Sequence, residues 1–176
     1  MSALDRHDPD LHFAQFPFFP WHAITLNLGE ISCCKRHRDH LNLVYGICLD
    51  IAFGDFDFRT GGHLVLHELR CIVEMRPGQA VLFPSSSVTH ENIPLVQVQN
   101  RAPQFRYSKT TYTAAANARY VHLGYQTLTA ITKKHGKSVQ ETYEAEGHER
   151  WMTMWAKSAE RTPQEYWKQK TLPSTL

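Results

Sequence analysis

The stretch HLVLHELRCIVEMRPGQAVLFPSSSVTHEN, residues 63–92, decides the fold class. His63–Leu66 and Arg70–Met75 read as short strands, being apolar and rich in β-branched residues. Arg76-Pro77-Gly78-Gln79 is a turn, because Pro presets φ and Gly supplies positive φ at no steric cost. Ala80–Pro84 is an apolar strand, and Ser87–Glu91 leads into the next. Upstream, Val44–Phe53 forms another strand, closed off by the turn residues Gly54-Asp55 and Thr60-Gly61-Gly62. Ile24, Leu26 and Leu28 alternate with Thr25, Asn27 and Gly29, the pattern of a half-buried strand. Downstream, Phe105–Thr113 alternates again, with Arg106, Ser108 and Thr110 on one face and Phe105, Tyr107 and Lys109 on the other. Short strands at this spacing, separated by Gly/Pro turns, predict an all-β sandwich or barrel.

After Ala114 the character changes. Val139–Ser158 reads as a helix, with Tyr143, Trp151 and Trp155 among charged residues, and Pro163–Lys170 as a short final helix with Pro163 at its start. Residues 1–20 are an N-terminal extension, polar to Asp10 and then rich in aromatics and Pro. The expected organisation is that extension, a β core over 21–127 and a helical tail over 128–176 packed on the core as one domain. At 176 residues with 42% apolar and 20% charged residues, the chain can bury a real core. A net charge of +2 does not by itself imply nucleic-acid binding. Cys33, Cys34, Cys48 and Cys71 form no CxxC, no apolar h-region opens the chain, and no apolar run is long enough to cross a bilayer. A reduced intracellular protein, nuclear or cytoplasmic, is the expectation.

His37-Arg38-Asp39, answered later by His90, carries the chemistry. Side chains at i and i+2 of a strand share a face, so His37 and Asp39 can point one way while Arg38 points the other. Two imidazoles and a carboxylate with open coordination positions are the ligand set of non-haem Fe(II) oxygenases. Other readings of the same residues stay open. His-x-Asp arises by chance, Cys34-x-x-His37-x-x-His40 offers a zinc-like set, and His37, His40 and His90 could hold a metal as cupins do. His63 and His67 read as structural or surface residues. Arg106 alone reads as a salt-bridged strand residue.

The run from Thr60-Gly61-Gly62-His63-Leu64 through the Pro77-Gly78 turn and the apolar strand to His90 resembles the 2-oxoglutarate- and Fe(II)-dependent oxygenases. Within that superfamily, HRDHLNLVYG, FDFRTGGHLVL and FPSSSVTHENIP are similar to a fungal, transposon-associated group related to the TET/JBP nucleic-acid-modifying enzymes. The resemblance spans about residues 21–127 and implies a double-stranded β-helix (jelly-roll) core. It implies that His37, Asp39 and His90 are the catalytic residues and bind Fe(II). It also implies that Arg106 pairs with the distal carboxylate of 2-oxoglutarate, that Ser108 adds a hydrogen bond, and that Asn42 reaches the co-substrate or orients the metal site. Tyr45 and Thr110 stand as further supporting residues.

The implied activity is a dioxygenase that uses O2 and 2-oxoglutarate to oxidise a C–H bond, with a nucleobase methyl group as candidate substrate. A base inside a duplex has to be flipped out and stacked. Phe13, Phe16, Phe18, Phe19 and Trp21 could do this, although an apolar cover for the barrel edge explains them more simply. Lys133-Lys134-His135-Gly136-Lys137 is the compact basic run, and such runs are usually solvated surface. Rival readings are a small-molecule or peptide hydroxylase with the same iron centre, and a non-catalytic jelly-roll or cupin-type metal-binding module.

Overall fold

A computed structural model of the chain describes residues 21–97 and 102–159. The aromatic segment before Trp21 and the helix expected over 163–170 lie outside the described residues. The chain divides into two compact units at Gln126–Thr127.

The first unit holds two antiparallel sheets. Among the described residues seven strands follow in chain order: β1 (Ala23–Asn27), β2 (Cys48–Asp55), β3 (Leu64–Leu66), β4 (Cys71–Val73), β5 (Ala80–Phe83), β6 (His90–Asn92) and β7 (Phe105–Tyr112). One sheet has the order β1-β7-β2-β5 and the other β4-β3-β6. The expected strands are therefore present, trimmed at their ends. Val44–Phe53 begins its ladder only at Cys48, because Leu43 to Gly46 makes a turn closed by Gly46 N–H donating to Leu43 O at 2.8 Å. The β3–β4 hairpin turns through residues 67–70, where Arg70 takes φ 49°.

The second sheet is widened by chain that is not itself a strand. His37 and His90 exchange both backbone hydrogen bonds, and Asn92 N–H donates to Cys34 O at 3.0 Å. Residues 34–37 thus lie along the free edge of β6. Glu30 to Ser32 likewise brackets Arg106 at the start of β7, in parallel sense.

The core sits between the two sheets. Alternation sends Cys48 and Ala52 inward from β2, Leu64 and Leu66 from β3 and Phe83 from β5, where they meet Phe56, Met75 and Val88. Leu64 is 2% exposed. Each buried Leu, Phe, Met or Val of this set contributes about 1.5–3 kcal/mol of burial. In β1 the alternation runs opposite to the expectation. Ile24 and Leu26 are exposed, while Thr25 and Asn27 line an internal cleft. The register Thr25↔Thr110 and Asn27↔Ser108 places those polar residues beside the inward face of β7.

Helix α1 (Ala115–His122) follows β7. The second unit carries α2 (Leu128–His135), α3 (Lys137–Ala145) and α4 (Gly147–Ala159). The single helix expected over 139–158 is two, divided at Glu146, whose backbone N–H donates back to Thr142 O. Thr127 caps α2 by accepting from Ala130 N–H at 3.1 Å. Lys133, Lys134 and His135 fill the last turn of α2, where cations complement the helix dipole. That explains three of the run's four basic residues without a partner. Gly136, at φ 89°, joins α2 to α3. Among the described residues no helix is long and apolar enough to cross a membrane.

Candidate metal centre

Three segments bring His37, Asp39 and His90 together. Pairing of Leu66 with His90 sets the phase of β6, so His90 and Asn92 face inward and Glu91 does not. The backbone bridge between His37 and His90 fixes the height of His37 beside it. Asp39 leaves the ladder, but its N–H donates to Ser85 O at 3.0 Å, which returns its side chain to the same place. The shared face expected of a strand is thus reached by one bridge and one loop contact. One ligand atom from each of the three residues lies within 4.8 Å of the others. His37 Nε2 is 3.4 Å from Asp39 Oδ1, and the two imidazole centroids are 4.3 Å apart, tilted by 51°.

The outer atoms of all three groups are engaged. His37 Nδ1 lies 2.6 Å from Lys35 O, and His90 Nδ1 lies 2.9 Å from Val88 O. A carbonyl can only accept, so each Nδ1 donates, and in the neutral ring that tautomer leaves the Nε2 lone pair for the centre. Asn42 Nδ2 donates to Asp39 Oδ2 at 3.1 Å and to Ser85 Oγ at 3.0 Å. Asn42 therefore holds the carboxylate from a position that also borders the cleft. Burial pushes the His90 pKa down, and the neighbouring His37 adds to this, while the bond to Val88 O opposes it. The downward shift favours the neutral form that coordination requires.

A cleft of about 490 Å³ opens beside the three groups, and Asn42, Asp50, Asn92, Ser108 and Thr110 help to line it. Ser108 Oγ accepts from Asn27 Nδ2 at 2.9 Å. Arg106 is not among the lining residues. It lies two residues further along β7 on the same inward face and is 1% exposed. Its Nη1 donates to Ser32 O at 2.9 Å, yet Nε and Nη2 have no hydrogen-bond partner among the described residues. Burial lowers its pKa, while Asp50 and Cys34 pull it back up. The Gly61-Gly62 element makes room for it. Gly62 has φ 74°, and a Cβ there would stand 3.2 Å from Arg106 Cδ and Nε.

The zinc-like and cupin-like alternatives are not assembled. Cys34 and His40 border the same cleft, but the set within ligand distance among the described residues is His37, Asp39 and His90. All four cysteines are free. Thr110 acts on a residue that sequence reasoning passed over, donating to Asp50 Oδ1 at 3.0 Å. Asp50 is 8% exposed, and burial raises its pKa against the pull of Thr110, Arg106 and His90. The signal was available, since Asp50 is the acid within an otherwise apolar strand.

No protein-family model matches this chain, and no curated protein does. Among solved structures it is similar to one described as NgTET1 in complex with 5mC DNA, with 20% identity and a TM-score of 0.39. The match covers 51% of this chain and 35% of that one, so the chain spans about a third of that protein. A likeness at this level carries no argument about activity.

Proposed function

We propose that the chain is an Fe(II)- and 2-oxoglutarate-dependent dioxygenase whose core is a double-stranded β-helix. The observation that carries the reading is the convergence of His37, Asp39 and His90, with both imidazole Nδ1 atoms held by backbone carbonyls. The sheet orders β1-β7-β2-β5 and β4-β3-β6, with residues 34–37 as an eighth segment beside β6, support the β-helix.

The donor set fits a divalent iron. Two neutral imidazoles and one carboxylate leave a net charge near +1 on the centre and open positions for other ligands. An Fe(II) ion held there would supply the redox chemistry by which one O2 oxidises 2-oxoglutarate to succinate and carbon dioxide and a C–H bond to C–OH. The chain's own work is orientation. Lys35 O and Val88 O fix the imidazole tautomers, and Asn42 turns Asp39 so that Oδ1 faces His37. Arg106 is the anion partner, because its two unmet N–H groups suit a carboxylate in bidentate geometry. Ser108, two residues along the same face, offers its hydroxyl to that anion. Arg106, Ser108 and His90 are buried, while His37 and Asp39 face the open side of the cleft.

The substrate we assign is a methyl group on a nucleobase. This rests on the resemblance of HRDHLNLVYG and FPSSSVTHENIP to the TET/JBP-like group. The test is succinate formation after air is admitted to anaerobic protein loaded with Fe(II) and 2-oxoglutarate, with and without methylated DNA. Succinate that rises with methylated DNA supports the full reading. Succinate formed equally without DNA keeps the iron chemistry and removes the nucleobase. No iron-dependent succinate in any arm, or full turnover by Asp39→Ala, overturns the oxygenase.

A further inference from the structure

We propose that Glu68, in the exposed β3–β4 turn, is a positioning residue for the metal centre: it ties the segment bearing His37 and Asp39 to the strand bearing His90. The inference rests on the metal-centre reading above and concerns a residue outside the cluster itself.

Glu68 grips both sides of the centre one residue away from it. Its Oε2 accepts from Thr89 N–H at 2.6 Å, and Thr89 directly precedes His90. Its Oε1 accepts from Thr89 Oγ1 at 2.6 Å and from Arg38 Nη2 at 2.5 Å, and Arg38 lies between His37 and Asp39. Arg38 Nε donates to Thr89 Oγ1 at 2.8 Å, which closes a three-residue ring. The hydroxyl of Thr89 is thus both donor and acceptor within it.

The turn that presents Glu68 is itself fixed. Arg70 N–H donates to His67 O at 3.0 Å, and His67 N–H donates to Thr89 O at 2.9 Å. On the far side of His90, His67 Nε2 pairs with Glu91 Oε1 at 2.8 Å. Two successive turn residues therefore hold both chain neighbours of His90. Without the ring, residues 34–37 are joined to β6 by three backbone hydrogen bonds. Beyond them, among the described residues, Asp39 is held by the Ser85 loop, Asn42 and its contact with His37. A short bridge of this kind leaves the separation of the imidazoles and the carboxylate free to drift, and metal affinity depends on that separation. The bonds from Thr89 and Arg38 also hold the Glu68 carboxyl at about 2, so the brace is charged at neutral pH.

The experiment is titration of Co(II) alone into metal-free, full-length wild type, Glu68→Ala and Glu68→Gln, read by calorimetry and by the visible Co(II) absorption. Outer partners of metal ligands are worth about 10–100-fold in affinity, so Glu68→Ala should weaken Co(II) binding by that order and change the band shape. Glu68→Gln should fall between, because its amide oxygen can still accept from Thr89 N–H while Arg38 loses its carboxylate. The metal-free proteins should melt within a few degrees of each other, since the Glu68 side chain is 40% exposed. A Co(II) affinity equal in all three proteins overturns the brace and leaves the metal centre standing. Wild type that binds no Co(II) overturns the metal centre and the brace with it. If Glu68→Ala does not fold, unchanged affinity in Glu68→Gln overturns the brace on its own.

Discussion

Replacing Arg106 with methionine should make the ligand-free protein more stable while removing its affinity for 2-oxoglutarate. Arg106 is 1% exposed, with one hydrogen bond to Ser32 O and two donors, Nε and Nη2, that meet nothing among the described residues. A buried unsatisfied donor costs about 1–3 kcal/mol, so the pair costs about 2–6 kcal/mol. The charge-assisted bond to Ser32 O returns about 1.5–3 kcal/mol. Methionine keeps an unbranched stem against Phe56, which lies 6.0 Å from the guanidinium carbon, so the packing loss is small. The balance is a gain of about 2 kcal/mol, as when buried charges give way to well-packed apolar groups. For a chain of this size that is about 4–8 °C in Tm. The assay is thermal melting of metal-free protein by circular dichroism, alongside 2-oxoglutarate titration in the presence of Mn(II) under nitrogen. A loss of stability of about 2 kcal/mol or more would show that the guanidinium is held for the fold. Unchanged 2-oxoglutarate affinity in Arg106→Met would remove it from the anion site.

Two further outcomes follow from the same face. Burial raises the pKa of Asp50, so the folded state favours its protonated form, and the stability this gives is present at low pH and lost as pH rises through the raised value. Asp50→Asn should therefore gain on wild type in Tm between pH 4 and pH 8, and a difference that is flat with pH would refute the burial argument. Gly62→Ala places a Cβ 3.1 Å from Phe56 Cε2 at a φ of 74°. It should cost about 1–3 kcal/mol in urea unfolding with the m-value unchanged, and a midpoint equal to wild type would show that Arg106 and Phe56 move aside freely.

The strands were legible because a strand facing one core writes itself as alternation, and Gly and Pro mark where it stops. Arg106 and Ser108 could be placed on one face of β7 from spacing alone, and both are buried. Helix boundaries were less legible. The division of residues 137–159 at Glu146 leaves no Pro and no apolar break in the sequence, only a Gly at the start of α4. In β1 alternation found the strand and misassigned its faces, since Ile24 and Leu26 satisfy the pattern yet look outward. Period 2 distinguishes two faces but does not say which of them meets the cleft.

What the sequence determined by itself is the inventory and its order: short strands with turns between them, His37 two residues before Asp39, His90 after the Pro77-Gly78 turn, and Arg106 beyond. Those are local facts, set by side-chain type and by steric limits on neighbouring φ and ψ. Tertiary structure decided which atoms meet. Asp39 joins the cluster through Ser85 and Asn42, Asp50 becomes a buried acid, and Glu68 comes to touch the neighbours of all three candidate ligands. Apart from the local bond between Asn42 and Asp39, each of these contacts joins residues with two or more strands between them in the chain. Such contacts form only when the sheets are paired in register, and no pattern along the chain records that pairing.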